Sequence, residues 1–422
     1  MTTGSLPAKT RSLVLLAIGL AFTAFNIARA VQWAEQTGYV FWYWARFWLV
    51  SYSDGYVRRG LLGQMVRLFA GEAISVVTLN VLALVVALTV LALVYRLFFS
   101  RVGTDRHWII VFVVVISGPA TTLFFEVLGD PLQVALLCVI AYLLLAPKLG
   151  SGAIGRLAAV ATALTVVLIH EASIFLLVPA VYLIFCLTTG RRPRYPLLAV
   201  VMIALTAITV ALFSIQEPTS AGLALVTRDG TRLYPSGNVL PPFFALLRAD
   251  LGYYFGSAVG PLRLALKLAG SFLWPVLVVL AAAHIVKVRA LATVFFVLLL
   301  PSLPLYVIAH DWGRFAIYTL VLSLAVTGRL AADRPIDAPT VAAWASETGL
   351  RLSRPLFGTA VSALWLMLVF QSHANYRIDG LTLQSVVATM IVLTVFGLSQ
   401  GLSPDRASGD PAVTEGRLQD GP

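Results

Sequence analysis

Apolar runs separated by short polar clusters dominate the chain. They fall at about 12–31, 76–95, 107–125, 131–147, 157–170, 172–189, 196–215, 264–286, 290–309, 315–331, 356–373 and 381–400. A helix crosses a bilayer with roughly 20 apolar residues, so this spacing predicts about 12 transmembrane helices with both ends on one side. The fold class expected is an all-α polytopic membrane protein. The first run, preceded by Lys9 and Arg11, is longer than the 7–15-residue apolar core of a cleaved signal. It is therefore assigned as an uncleaved first helix. Residues 1–11 form a cytoplasmic N-terminus, residues 12–400 the transmembrane domain, and residues 401–422, polar and without periodicity, a disordered cytoplasmic tail.

Two long polar-to-apolar segments fall on the outer side in this scheme, 32–75 and 216–262. The first opens with Phe41, Trp42, Tyr43, Trp44, Phe47 and Trp48, rings of the kind that settle at headgroup level. Beyond it, Val57, Leu61, Met65 and Leu68 recur at helical spacing, with Leu62, Val66 and Phe69 beside them and Arg59, Gly63, Gln64 and Arg67 on the other side. That pattern predicts an amphipathic helix lying on the membrane. The second segment is either a substrate lid or a solvated connector.

Composition narrows the class further. Of 422 residues 59% are hydrophobic and only 12% charged, with mean hydropathy +0.90, against roughly 25% charged in soluble domains. A water-soluble globule is excluded. The net charge of +11 does not indicate nucleic acid, because the basic residues sit between apolar runs. They read as topology signals: 18 of the 30 Lys and Arg lie in segments assigned to the inside. The dominance of Arg over Lys and the Ala/Val/Leu richness resemble the usage of a GC-rich bacterial genome, which places the chain in a bacterial cytoplasmic membrane. Cys138 and Cys186 lie within apolar runs and show no disulfide or metal pattern. Pro119 should kink its helix.

Drawn on this topology, the polar residues near membrane depth collect at the outer ends of helices: Asp54, Glu126, Asp130, His170, Glu171, His310, Asp311 and Arg314. An ionised side chain at the bilayer centre costs about 2.5–3.5 kcal/mol on insertion scales, so acids gathered at one face point to a shared polar cavity. Most have a simpler structural reading, though the cap explains Asp130 and not Glu126. Asp54 can cap a helix and pair with Arg58 four positions on; Asp130 before Pro131 is an ordinary helix start; His170 and Glu171 can meet at a short turn; Asp311 can pair with Arg314. The functional reading assigns Asp54, Asp130 and Glu126 as candidate catalytic carboxylates. It gives Arg58, Arg59, Arg314 and Arg263 to an anionic substrate, since guanidinium forks suit phosphate oxygens. Trp312, with Asp311 and His310, suits a sugar ring, and His170 and Glu171 complete the lining. His170, Glu171 and His310 could converge on a divalent cation, but no ligand spacing such as HExxH accompanies them. No cofactor is expected.

The layout resembles the GT-C superfamily of integral membrane glycosyltransferases, which use polyprenyl- or dolichyl-phosphate sugars. The resemblance rests on a first helix followed by a long outer loop with membrane-lying helices and an acid, matched by Asp54. It rests also on a second acid between the third and fourth helices, matched by Asp130 before Pro-Leu-Gln-Val-Ala-Leu-Leu, and on Ser117-Gly118-Pro119 ahead of it. Arg314 is similar to later-helix basic residues that contact the donor phosphate. Asp54-Gly55-Tyr56 carries one acid where many members show two. The resemblance implies a polyprenyl-phosphate-linked sugar donor, a glycan, lipid or protein acceptor of the cell envelope, an outward-facing site within membrane lipid, and Asp54 or Asp130 as base in an inverting displacement. Competing readings are a polysaccharide polymerase or ligase acting on lipid diphosphates, a transporter or lipid flippase, and a structural partner subunit. No nucleic acid is expected, and the sequence names no protein partner.

Overall fold

The computed structural model describes residues 44, 46–52, 60–71, 73–102, 125, 127–191, 193–214, 224–228, 232–236, 289–308 and 312–333, with isolated helical positions at 17, 24, 28, 261, 276 and 279. The described residues are mostly helical. After a 3-10 turn at Arg46–Trp48 come α1 (Gly60–Ala70), α2 (Val76–Val102), α3 (Pro131–Leu149), α4 (Ala153–Ile169), α5 (Ser173–Leu176), α6 (Val178–Thr189), α7 (Tyr195–Ser214), α8 (Arg289–Ile308) and α9 (Trp312–Asp333). These helices coincide with seven of the apolar runs. The runs at 12–31, 107–125, 264–286, 356–373 and 381–400, apart from isolated positions, and both termini lie outside the described residues.

Two of the described helices are long and apolar enough to cross a membrane, α2 over Val76–Leu97 and α3 over its whole length. At 1.5 Å per residue α3 is about 28 Å long, close to the hydrocarbon thickness. Its ends are marked in the sequence. Asp130 is the N-cap and Pro131 occupies the first turn, where its missing N–H costs nothing. Gly150 follows at φ 66°. The turn 150–152 is tight enough that a side chain on Gly155 would collide with the Gly150 carbonyl, so α4 must return antiparallel to α3. Gly190, left-handed at φ 67°, ends α6 in the same manner.

α9 occupies the centre. Every residue from Arg314 to Gly328 is buried, and the helix packs against α2, α3, α5 and α8. A helix covered on all sides is a core helix, and this one makes room by using small residues. Thr319 and Ser323 return their hydroxyls to carbonyls one turn back, at 2.9 and 2.7 Å, so their burial leaves no donor unmet. Gly328 lets the α2 backbone come close: a β-carbon there would stand 3.3 Å from the Leu97 carbonyl oxygen. Outer helices show the opposite pattern. Leu157, Val160 and Leu164 of α4 and Leu197, Val200 and Ile203 of α7 are exposed, large apolar side chains turned outward on both helices.

The all-α expectation needs one correction. A three-stranded antiparallel sheet, in the order β1-β3-β2, joins β1 (Ile74–Ser75) to the hairpin β2 (Ala224–Arg228) and β3 (Arg232–Ser236). Ile74 pairs with Leu233 and Ser75 with Arg232. The apolar-run pattern cannot reveal strands this short, and β1 needs its distant partner in order to exist at all. The sheet ties the segment just before α2 to the 216–262 loop, so the two loops assigned to the outer side do meet.

The amphipathic helix forms over Gly60–Ala70. Gly63 lies against the Val50 backbone with no space for a β-carbon, and Ser51 Oγ donates to Gln64 Oε1 at 2.7 Å. Met65, Leu68 and Phe69 point away from the protein, Phe69 with 87% of its surface exposed. The aromatic run departs from its expected headgroup setting. Trp44, Phe47 and Trp48 are buried, and the turn before α3 offers Trp48 a carbonyl acceptor. Phe41, Trp42 and Tyr43 lie outside the described residues.

Candidate functional site

The site is built at the start of α3. Residues 127–129 form a turn in which Asp130 N–H donates to the Val127 carbonyl at 3.0 Å. Gly129 adopts φ 89°, which an L side chain rarely tolerates. The turned-out Gly129 carbonyl accepts Trp48 Nε1–H at 2.6 Å, an indole donor that burial obliges to find a partner. Trp44 and Trp48 thereby wall the start of α3.

Asp130 follows and is fully buried. One carboxylate oxygen, Oδ1, caps the helix by accepting Leu132 N–H at 3.0 Å. The other, Oδ2, accepts Arg314 Nη1–H at 2.9 Å and the Tyr318 hydroxyl at 3.0 Å. Arg314 and Tyr318 are four residues apart on α9, hence one above the other on a single face. The Arg314 guanidinium is itself buried. Its carbon stands 4.7 Å from the centre of the Trp44 ring and 5.3 Å from that of Phe315, a desolvated cation–π setting of the kind worth about 2 kcal/mol. Three chain segments that are remote in sequence converge here: the aromatic turn, the 127–130 turn leading into α3, and the start of α9.

This geometry defines what Asp130 does. Its two oxygens are shared among a helix cap, a guanidinium and a phenol. Through Oδ2 it holds Arg314 in place. The pairing also supplies what buried charge requires, since an unpaired ion at this depth would cost several kcal/mol.

His170 and Glu171 form the turn between α4 and α5. Two short connections, 150–152 and 170–172, separate antiparallel helices, so this turn lies at the same end of the bundle as Asp130, and α5 packs on α8 and α9. His170 is buried and its Nδ1 accepts Ala172 N–H at 3.1 Å. The same nitrogen lies 3.6 Å from Glu171 Oε2. A nitrogen that accepts a backbone N–H carries no proton, so the turn bond, not an ion pair, defines its role there. The imidazole ends α4 and shapes the turn. Beside it, the Ser173 hydroxyl is buried with no hydrogen-bond partner among the described residues.

Of the remaining residues singled out in the sequence, Trp312 is the first residue of α9. Asp54, Arg58, Arg59, Glu126, Arg263, His310 and Asp311 lie outside the described residues. Among the described residues no three His, Cys, Asp or Glu side chains gather as metal ligands. Sequence reasoning missed Tyr318 and sent Trp44 and Trp48 to the headgroups. Tyr318 carried a usable signal, a second polar side chain one turn beyond Arg314 in an otherwise apolar run. The chain matches no family model, no curated protein and no solved structure, so its chemistry has to be read from the residues at this end of the bundle.

Proposed function

We propose that the chain is a membrane-embedded inverting glycosyltransferase of GT-C type, transferring a sugar from a polyprenyl-phosphate donor to a cell-envelope acceptor on the outer face of a bacterial cytoplasmic membrane. The observation that carries this reading is the buried Asp130–Arg314–Tyr318 cluster, with the guanidinium against Trp44. It brings an acid, a cation and an aromatic face together at the end of the bundle where the sequence gathers its other acids.

In this reading Arg314 meets the donor phosphate, and its charge stabilises the polyprenyl phosphate as it leaves. Asp130 and Tyr318 hold that guanidinium at a fixed height, and the indole of Trp44 keeps it from water. Asp54, in the loop that precedes α1, removes the proton from the acceptor hydroxyl. The acceptor oxygen then attacks the anomeric carbon from the side opposite the phosphate. The bond from that carbon to the phosphate oxygen breaks, its electron pair leaves with the polyprenyl phosphate, and the configuration inverts. Arg58 and Arg59 flank the same phosphate. No nucleotide takes part.

The test uses purified full chain in lipid with radiolabelled polyprenyl-phosphate sugars, comparing the parent with Asp54→Asn, Asp130→Asn and Arg314→Gln. The reading expects release of polyprenyl phosphate by the parent, loss of turnover in Asp54→Asn, and weakened donor use in the other two. Turnover that survives all three changes would overturn it.

A further inference from the structure

At the end of the bundle opposite Asp130, α6 finishes and α7 begins around a cleft of about 480 Å³ lined by Tyr182, Phe185, Cys186, Arg191, Arg194 and Leu197. We infer that this cleft holds the headgroup of an anionic membrane phospholipid, whose acyl chains run along the exposed face of α7. The inference rests on the membrane setting of the chain and not on sugar transfer.

The walls are preorganised. Gly190 closes α6 in a left-handed conformation, and the N–H groups of Gly190 and Arg191 both return to the Cys186 carbonyl, that of Arg191 at 2.9 Å, which fixes the helix end. Tyr182 accepts Arg194 N–H at 2.8 Å across 12 residues, which pins the other side of the loop. Arg191 lies over the Phe185 ring at 5.9 Å, while both arginines remain exposed. Among the described residues neither guanidinium has a carboxylate partner, in contrast to Arg314. Two cations lining one cleft, beside the N–H end of α7, suit a phosphate group.

The surface beyond the cleft identifies the source of that phosphate. Leu197, which lines the cleft, begins an exposed apolar strip continued by Val200, Val201 and Ile203 on α7. A free anion has no use for such a strip, whereas acyl chains cover it. The arginines belong to a loop that the topology places on the cytoplasmic side, where anionic lipid attracts basic residues at the membrane surface.

Native mass spectrometry of the full chain, released from phosphatidylcholine bilayers doped with phosphatidylglycerol, tests this. The parent should retain phosphatidylglycerol over phosphatidylcholine. Each arginine-to-glutamine change should lower retention about fivefold, and Arg191→Gln with Arg194→Gln together by the product. Arg191→Lys with Arg194→Lys should keep most of the retention. Arg156→Gln, which removes an exposed charge at the same end of the bundle, should leave it unchanged. If the double glutamine variant does not fold, Arg194→Gln alone reads the same site. Equal retention by parent and glutamine variants, or a loss as large in Arg156→Gln, overturns the inference. Competition by inorganic phosphate or glycerol phosphate as strong as by the intact lipid overturns the lipid assignment. Activity on labelled sugar donors, whatever its outcome, leaves this result standing, so the two proposals fail separately.

Discussion

Asp130 combines two duties that a single substitution can separate. Asparagine keeps an oxygen for the Leu132 N–H but cannot neutralise Arg314. Asp130→Asn should therefore retain the α3 cap and still cost about 3–5 kcal/mol, the usual penalty for stranding one member of a buried pair. A lowered unfolding midpoint in detergent would register it. Removing both charges with Asp130→Asn and Arg314→Gln should recover much of the loss, and the departure from additivity in that cycle measures the coupling directly. One position earlier, Gly129→Ala should cost about 1–2 kcal/mol through its left-handed backbone alone, because the space beside it is open enough for a methyl group. The same assay applies. At this scale the sequence was partly legible. Asp130 could be recognised as a cap from Pro131 and as a candidate acid from its setting, but nothing in a one-dimensional pattern pairs it with Arg314, since their contact spans 184 residues. Trp44 was misplaced because an aromatic cluster beside a membrane helix has the same composition whether its rings face headgroups or a core.

At the scale of the element, the apolar runs located the helices well and the joints between them less well. The run at 172–189 is two helices, α5 and α6, meeting at Leu177 just before Pro179, where the missing proline N–H permits a new helix to start. The amphipathic helix was expected to divide its apolar and polar sides; instead Gly63 and Gln64 of the polar side dock together with the apolar Leu62 and Val66. Gly63→Val should lift α1 from the Val50 backbone, and faster amide exchange over residues 60–70 with α3 unchanged would show it. Deeper in the bundle, Gly328→Val should force α2 and α9 apart at a cost of about 1–3 kcal/mol, the range for overpacked cores. Thermal unfolding of the detergent-solubilised chain is the check. Neither close approach was visible in the sequence, where a glycine within an apolar run has no stated neighbour.

Across the whole molecule, two independent contacts join segments that are distant in sequence. The β1–β3 pairing joins residues 74–75 to 232–233, and the Asp130–Arg314 pair joins the starts of α3 and α9. Both link segments that the charge distribution assigns to the outside. With Cys138 and Cys186 replaced by alanine, single cysteines at Gly71 and Glu171 should react with a membrane-impermeant maleimide on intact cells. Cysteines at Ser151 and Arg191 should react only after permeabilisation. A reversal at any of the four would break the arrangement. The strands themselves were unreadable from periodicity, since two residues of β1 carry no period.

The long separation between Asp130 and Arg314 also has a temporal side. At a synthesis rate of about 5–20 residues per second, α9 emerges roughly 10–40 s after α3. Throughout that interval the carboxylate on the nascent chain has a cap but no guanidinium or phenol. Maturation of this end of the bundle is thus tied to completion of the translated chain, and fragments that stop short of Trp312 should be recognised by quality-control proteases as unfinished.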